Sequence, residues 1–284
     1  MRTIHSSKQR QRGFTLIELV MVIVILGVIG AMVSVFMRAP IDAYLDSARR
    51  AALTDVADTT VRRMARDLRK ALPNSIGTSG DEKCIEFIPT KTGGRYRDDD
   101  SGGGAGSSLF FGAPDNGFNM FGSNNAKPVN ERIEVGDVIA VTNFGFGVAD
   151  AYAGANTALI SGVVDGAETS ITIASTTFDL ALASPNHRFQ VIPKDEKVVA
   201  YVCSGNNLYR LARNTLAHIC PATGSAVVAA TDPILARNVD VAACSFDYGG
   251  ADLQRNALIS MRLQLTDRGE TVSLLHEVHV NNTP

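Results

Sequence analysis

Residues 19–37 are apolar at every position except Ser34, whereas after Pro40 the apolar residues thin to a stripe. At 1.5 Å per residue the first stretch predicts a helix about 28 Å long, the thickness of a bilayer core. A second helical stretch follows to about Leu72, with Leu53, Val56, Ala57, Val61, Met64, Leu68 and Leu72 on one face. Asp55, Asp58, Arg62, Arg66, Arg69 and Lys70 fall off that face, and Leu72-Pro73-Asn74 is a stop. Pro40 lacks an amide hydrogen and disfavours helix at Ala39, so a bend or break is expected there. Gly27 and Gly30 soften the front half and allow close approach of other helices.

Beyond residue 73 the period changes from helical to alternating. Cys84-Ile85-Glu86-Phe87-Ile88-Pro89 reads as a short strand, and residues 132–142, 169–174 and 188–192 are strand-like runs between Gly, Asn and Asp punctuation. Residues 198–203 and 208–212 flank Ser204-Gly205-Asn206-Asn207, a hairpin signal. Residues 258–266 alternate, Asp267-Arg268-Gly269 turns, and residues 271–280 return. The pattern predicts an α+β fold in which a long N-terminal helix covers one face of an antiparallel sheet. Residues 98–108 form a loop rich in Gly, Ser and Asp. Its Asp98-Asp99-Asp100 run lacks the ligand spacing of an EF-hand calcium loop and reads as solvated.

Composition narrows the function classes. The chain is 45% hydrophobic and 20% charged, which suits neither a disordered chain nor a multi-span membrane protein. Residues 1–12 hold Arg2, Lys8, Arg10 and Arg12 and no acid. Taking those four from the 27 Lys+Arg leaves 23 against 29 Asp+Glu, about -6 for the remainder. A mildly acidic body is a poor partner for phosphate backbones, so nucleic acid is not expected as a partner. The basic run Arg62, Arg63, Arg66, Arg69 and Lys70 reads as a solvated helix end, where cations suit the helix dipole. With cations ahead of the apolar helix, the positive-inside rule keeps residues 1–12 in the cytoplasm and sends the body outward.

The front edge of the helix is the distinctive part: Arg12-Gly13-Phe14-Thr15-Leu16-Ile17-Glu18-Leu19. A carboxylate entering hydrocarbon costs about 3 kcal/mol even on lenient scales, so Glu18 needs a partner. An amine exposed by cleavage before Phe14, at ~4 Å and an effective dielectric near 20, would return on the order of 4 kcal/mol. Gly13-Phe14-Thr15-Leu16-Ile17-Glu18 followed by an apolar helix resembles the class III signal of type IV prepilins and type II secretion pseudopilins. The likeness is strong over residues 10–38.

That resemblance implies cleavage between Gly13 and Phe14 by a prepilin peptidase, N-methylation of Phe14, and a role for Glu18 in subunit addition and register. It also implies a filament of pilin and minor pilin subunits built on an inner-membrane assembly platform. The organisation expected is a leader at 1–13, a membrane and filament-core helix at 14–39, its amphipathic continuation at 40–72 and an exported β-rich head at 73–284. Pro40 lies later than the proline that often kinks the helix of major pilins. Weaker similarities to the large minor pilins run from Cys84-Ile85-Glu86-Phe87 through Val198-Val199-Ala200-Tyr201-Val202-Cys203 to Ala243-Cys244-Ser245-Phe246-Asp247-Tyr248. They imply a subunit that primes assembly or caps the tip. A type II secretion pseudopilin and a pilin-anchored adhesin stay open as alternatives.

Four cysteines in an exported head predict disulfides, and the favoured pairing is Cys203 with Cys220 and Cys84 with Cys244. No close cysteine pair suits zinc, and His276 and His279 are three apart on a strand, on opposite faces. Gly145-Phe146-Gly147 reads as a turn, since no third glycine or helix completes a dinucleotide fingerprint. With no nucleophile and base arrangement, no cofactor and no enzymatic activity are expected. Phe110, Phe111, Phe118, Phe121, Phe144 and Phe146 read mainly as core, with an exposed binding patch as the rival reading.

Overall fold

The computed structural model describes residues 13–97, 107–184, 186–249 and 256–283. The triple aspartate at 98–100 lies outside the described residues. The fold is α+β and pilin-like: one helix, α1 (Leu16–Leu68), then strands β1 (Gly77–Thr78), β2 (Cys84–Phe87), β3 (Thr92–Arg95), β4 (Pro114–Phe121), β5 (Val138–Ala140), β6 (Thr157–Val164) and β7 (Glu168–Thr177). These are followed by β8 (Arg188–Ile192), β9 (Val198–Ser204), β10 (Asn207–Arg213), β11 (Ile234–Arg237), β12 (Ser245–Tyr248), β13 (Asn256–Asp267) and β14 (Glu270–Asn281). The chain divides into two compact units, Met1–Ala51 and Ala52–Pro284.

In the first unit every large apolar side chain from Phe14 to Leu45 stands 44–85% exposed. Continuous apolar surface of that extent calls for lipid or other helices. Of the bend or break expected at Pro40, the break does not occur: α1 continues through it without interruption. The ring removes one hydrogen bond, and the turns on either side keep theirs.

In the second unit Leu53, Ala57, Val61, Met64, Ala65 and Leu68 of α1 are buried, at the spacing that the stripe predicted. They pack with Ile85 and Phe87 of β2, with Val199, Tyr201 and Cys203 of β9, and with Phe246, Ile259, Met261 and Val278 from β12, β13 and β14. The helix stops at Leu68, four residues before the expected end. Lys70 and Ala71 close tight turns onto Asp67 and Leu68, and the Leu72 amide then donates to the Ile88 carbonyl at 2.7 Å. Backbone partners beyond β2 thus replace the helical ones.

One sheet was expected and there are three: β1-β2-β9-β10-β11, β12-β13-β14, and β3-β8-β5-β6-β7-β4. β2 and β9 pair directly, Cys84 opposite Val202 and Phe87 opposite Val199, although all of β3 to β8 lies between them in sequence. The intervening segment is therefore an inserted module. Its sheet curls until the edges meet, where Tyr96 bridges Met120 and the Arg97 amide donates to the Asn119 carbonyl at 2.9 Å. Phe118, Ile139, Ile160, Ile171, Ile173, Phe178 and Phe189 fill the interior, as in a small barrel.

The stems of the module are held at one carboxylate. Asp137, fully buried, takes Lys91 Nζ from the outgoing stem on Oδ2 at 2.7 Å and the Lys194 amide from the returning stem on Oδ1 at 3.0 Å, while the Glu134 amide also donates to Oδ2. A buried charge costs free energy unless paired and hydrogen-bonded, and Asp137 is both. The run at 132–142 shortens to β5 because Pro128 and a turn at 134–137 precede it. The C-terminal hairpins follow expectation. Gly205 (φ +60°) makes the β9–β10 turn, and Arg268 (φ +48°) with Gly269 (φ +90°) makes the β13–β14 turn.

The disulfides correct the favoured pairing: Cys84 joins Cys220 and Cys203 joins Cys244, with Cα separations of 5.6 and 6.6 Å. Strand alternation explains the exchange. Cys203 shares the helix-facing side of its sheet with Val199 and Tyr201, where Cys244 is also buried. Cys84 shares the opposite face with Ala200 and Val202, where Cys220 lies. The sheet itself separates Cys203 from Cys220. On that opposite face the buried Glu86 accepts the Ile219 and Cys220 amides and meets His218 Nδ1, so bond and carboxylate hold the same loop. Replacing Cys203 and Cys244 together by Ala is expected to cost about 4 kcal/mol of head stability on the chain-entropy account. Chemical denaturation against the parent chain measures it, and peptide mapping without reduction checks the pairing.

Candidate functional site: the processing segment and the inserted module

Gly13, Phe14 and Thr15 precede the helix without helical structure. The Gly13 surroundings are open, and Phe14 is 85% exposed, so the expected scissile bond is accessible along the backbone. Thr15 caps the helix. Its carbonyl accepts from the Glu18 and Leu19 amides at 3.1 and 3.2 Å, its hydroxyl oxygen lies 3.4 Å from the Glu18 amide, and that hydroxyl reaches back to Glu18 Oε2 at 3.5 Å. Thr15-Leu16-Ile17-Glu18 has the spacing of a capping box, with an apolar residue on either side at Phe14 and Leu19.

Glu18 therefore has a local occupation beside the one inferred from the motif: it sits in the first turn, where an acid suits the helix dipole. Thr15 is the residue that sequence reasoning passed over. Its signal was in view, a hydroxyl residue three before an acid at the head of an apolar run. Gly13 and Phe14 stand just ahead of the helix and Glu18 in its first turn. Pro40 lies far along the same helix, and the four cysteines belong to the head.

Residues 8–34 match the model of the prokaryotic N-terminal methylation motif. No curated protein and no solved structure matches the chain significantly. The motif supports a type IV prepilin signal and a processed pilin-like or pseudopilin-like subunit handled by a prepilin peptidase. Together with a helix long and apolar enough to cross a membrane, it supports membrane anchoring.

The inserted module divides the phenylalanines of the middle region. Phe118 is wholly buried, Phe111 and Phe144 pack partly against the interior, and Phe110, Phe121 and Phe146 are 50–58% exposed. Gly145 and Gly147 both take positive φ around the exposed Phe146, in the expected turn. His276 and His279 lie on β14 at positions of opposite facing. Beside Phe121, Arg97 stands over the ring with its guanidinium carbon 5.6 Å from the centroid and binds Glu168 through two nitrogens at 2.5 and 3.2 Å. Asn119 donates to the same carboxylate at 3.2 Å. The four groups lie where β4 and β7 pair and the sheet closes.

The hydrogen bond from Arg97, then that from Asn119, hold the Glu168 carboxyl below the usual carboxylate range. A lowered folded-state pKa gives stability that is present above the unfolded value and lost as pH falls through the folded one. Acidification below about pH 4.5, the ordinary glutamate range, is therefore expected to loosen the closure of the module. In Glu168→Gln this part of the acid dependence should disappear. Amide exchange at residues 119–121 and 168–170, followed from pH 6 to pH 3, reads the difference.

Proposed function

We propose that this chain is a minor pilin, cut by prepilin peptidase between Gly13 and Phe14, methylated at Phe14, and assembled into or at the tip of a type IV pilus of the mannose-sensitive haemagglutinin (MSHA) type. Its C-terminal half resembles the large minor pilins, MshO among them. The observation that carries the reading is the methylation motif at residues 8–34, placed on a helix whose apolar side chains stay exposed from Phe14 to Leu45. Before assembly the chain spans the inner membrane once, with a cytoplasmic N-terminus and a periplasmic head. It has no enzymatic role and takes no cofactor. It acts in assembly initiation with other pilin and minor pilin subunits.

Size and layout favour the minor subunit. The inserted module adds bulk to one side of the helix-packed sheet, which a subunit repeated along a shaft would have to fit against neighbours all round. A tip subunit has no such neighbours beyond it. The module also keeps a second reading in play, a pilin-anchored binding protein, because it completes no part of the helix-packed core.

Expression of the full chain with and without prepilin peptidase, followed by intact mass and N-terminal sequencing, tests the processing step. The expected product begins at N-methylated Phe14 and is lost without the peptidase. Glu18→Ala should still be cut, yet its recovery in sheared filaments should fall by at least about tenfold, in line with the loss of a desolvated charge pair. A chain that begins at Met1 in both strains would refute the prepilin reading.

A further inference from the structure

Several arginines and lysines of the head have acids: Arg97 has Glu168, Arg210 has Glu196 and Asp67, Lys194 has Glu134 and Lys91 has Asp137. Among those without an ion pair, three arginines gather at one cleft. In the pairing of β3 with β8, Arg95 stands directly opposite Arg188. Cross-strand partners share a face, and like charges there oppose pairing. Phe189 and Val191 point into the module, so Arg188 and Gln190, with Arg95, point out. Arg69, just past the end of α1, lines the same cleft as Arg188. None of the three forms an ion pair with a described residue.

The cleft measures about 360 Å³, near the small end of ligand sites. Among the described residues, neither a side-chain carboxylate nor an aromatic ring lines it. Beside Arg69 and Arg188 its polar lining residues are the amide-bearing Asn186, Gln190 and Asn281 and the hydroxyl-bearing Thr90 and Thr283. Arg95 is tied to its edge, Nε donating to the Asn186 carbonyl at 3.3 Å. Opposite Gln190 the β3 position is Gly93, which leaves bare backbone beside the amide; a Cβ there would come within 2.9 Å of Gln190 Oε1.

We propose that this cleft binds a carboxylate-bearing sugar unit of the uronate kind. The guanidiniums are planar forks that match a carboxylate and relieve the Arg95–Arg188 opposition. The amides and the hydroxyls both donate and accept, as ring hydroxyl groups require, whereas a phosphate would leave their acceptors unused. The site lies wholly in the head, so the inference stands apart from the processing and assembly proposed above.

The test is titration calorimetry and thermal melting of the full chain in detergent, with glucuronate, glucose and inorganic phosphate as probes. Glucuronate is expected to bind saturably and raise the melting temperature, with no response to glucose at the same concentrations and a weaker one to phosphate. Arg188→Gln and Arg69→Gln should each weaken glucuronate by about tenfold, the scale of a lost charge-assisted contact. Neither should melt lower than the parent without ligand, and Arg188→Gln should match or exceed it because the like-charge pair is gone. An oligouronate that binds more tightly than the monomer assigns the site to a polysaccharide, and equal affinity assigns it to a free sugar acid. Absence of saturable binding, phosphate as tight as glucuronate, or unchanged affinity in both variants overturns the proposal.

Discussion

The head depends on the direct pairing of β2 with β9. Their register puts Ile85 and Phe87 beside Tyr201 and Val199 under α1, and it puts Cys84 and Glu86 on the other face. β9 is consequently buried on both sides, which is why Val198-Val199-Ala200-Tyr201-Val202-Cys203 reads as a continuous apolar run and not as an alternation. A chain that leaves β2 and must return to β9 has both stems at one place, and Asp137 is the group that holds them there. Removing either of its partners would leave a buried carboxylate short of a counter-charge or donor, a costlier change than never having had the pair.

The same sheet explains the disulfides. With one bond on each face, Cys203–Cys244 fastens the sheet to the segment before β12 under the helix. Cys84–Cys220 fastens the loop that covers the far side, with Glu86 beside it. The pairing favoured on sequence rested on closeness along the chain, Cys203 to Cys220. Facing decides instead: residues 84 and 203 lie on neighbouring strands yet point to opposite sides, and no sequence distance expresses that.

Much of the scaffold was legible because each piece was local. The stripe on α1, the turn residues Gly205 and Gly269 and the alternation of β13 and β14 each carry their own period or turn chemistry. In the module the runs at 169–174 and 188–192 were legible as β7 and β8, but its architecture was not, for the opposite reason. Its order, β3-β8-β5-β6-β7-β4, sets strands distant in sequence side by side, and its closure at Tyr96 and Met120 leaves no mark in composition. At the processing segment the residues were readable from the motif, while the cap at Thr15 shows that Glu18 answers to helix physics beside the assembly role proposed for it.

The cap and the proposed assembly role of Glu18 are compatible because they would act on different atoms and at different stages. The cap chiefly uses Thr15 oxygens on the Glu18 amide, and the carboxylate contact with the Thr15 hydroxyl is long, at 3.5 Å. The carboxylate thus keeps most of its hydrogen-bonding capacity. In water that capacity is met by solvent and an added amine contributes little. In an apolar layer solvent is gone, the insertion cost of about 3 kcal/mol is felt, and an amine at Phe14 can offset it. A leader that keeps Phe14 in an amide bond withholds that charge until it is cut, so cleavage would change the energetics of the helix front without altering a single side chain.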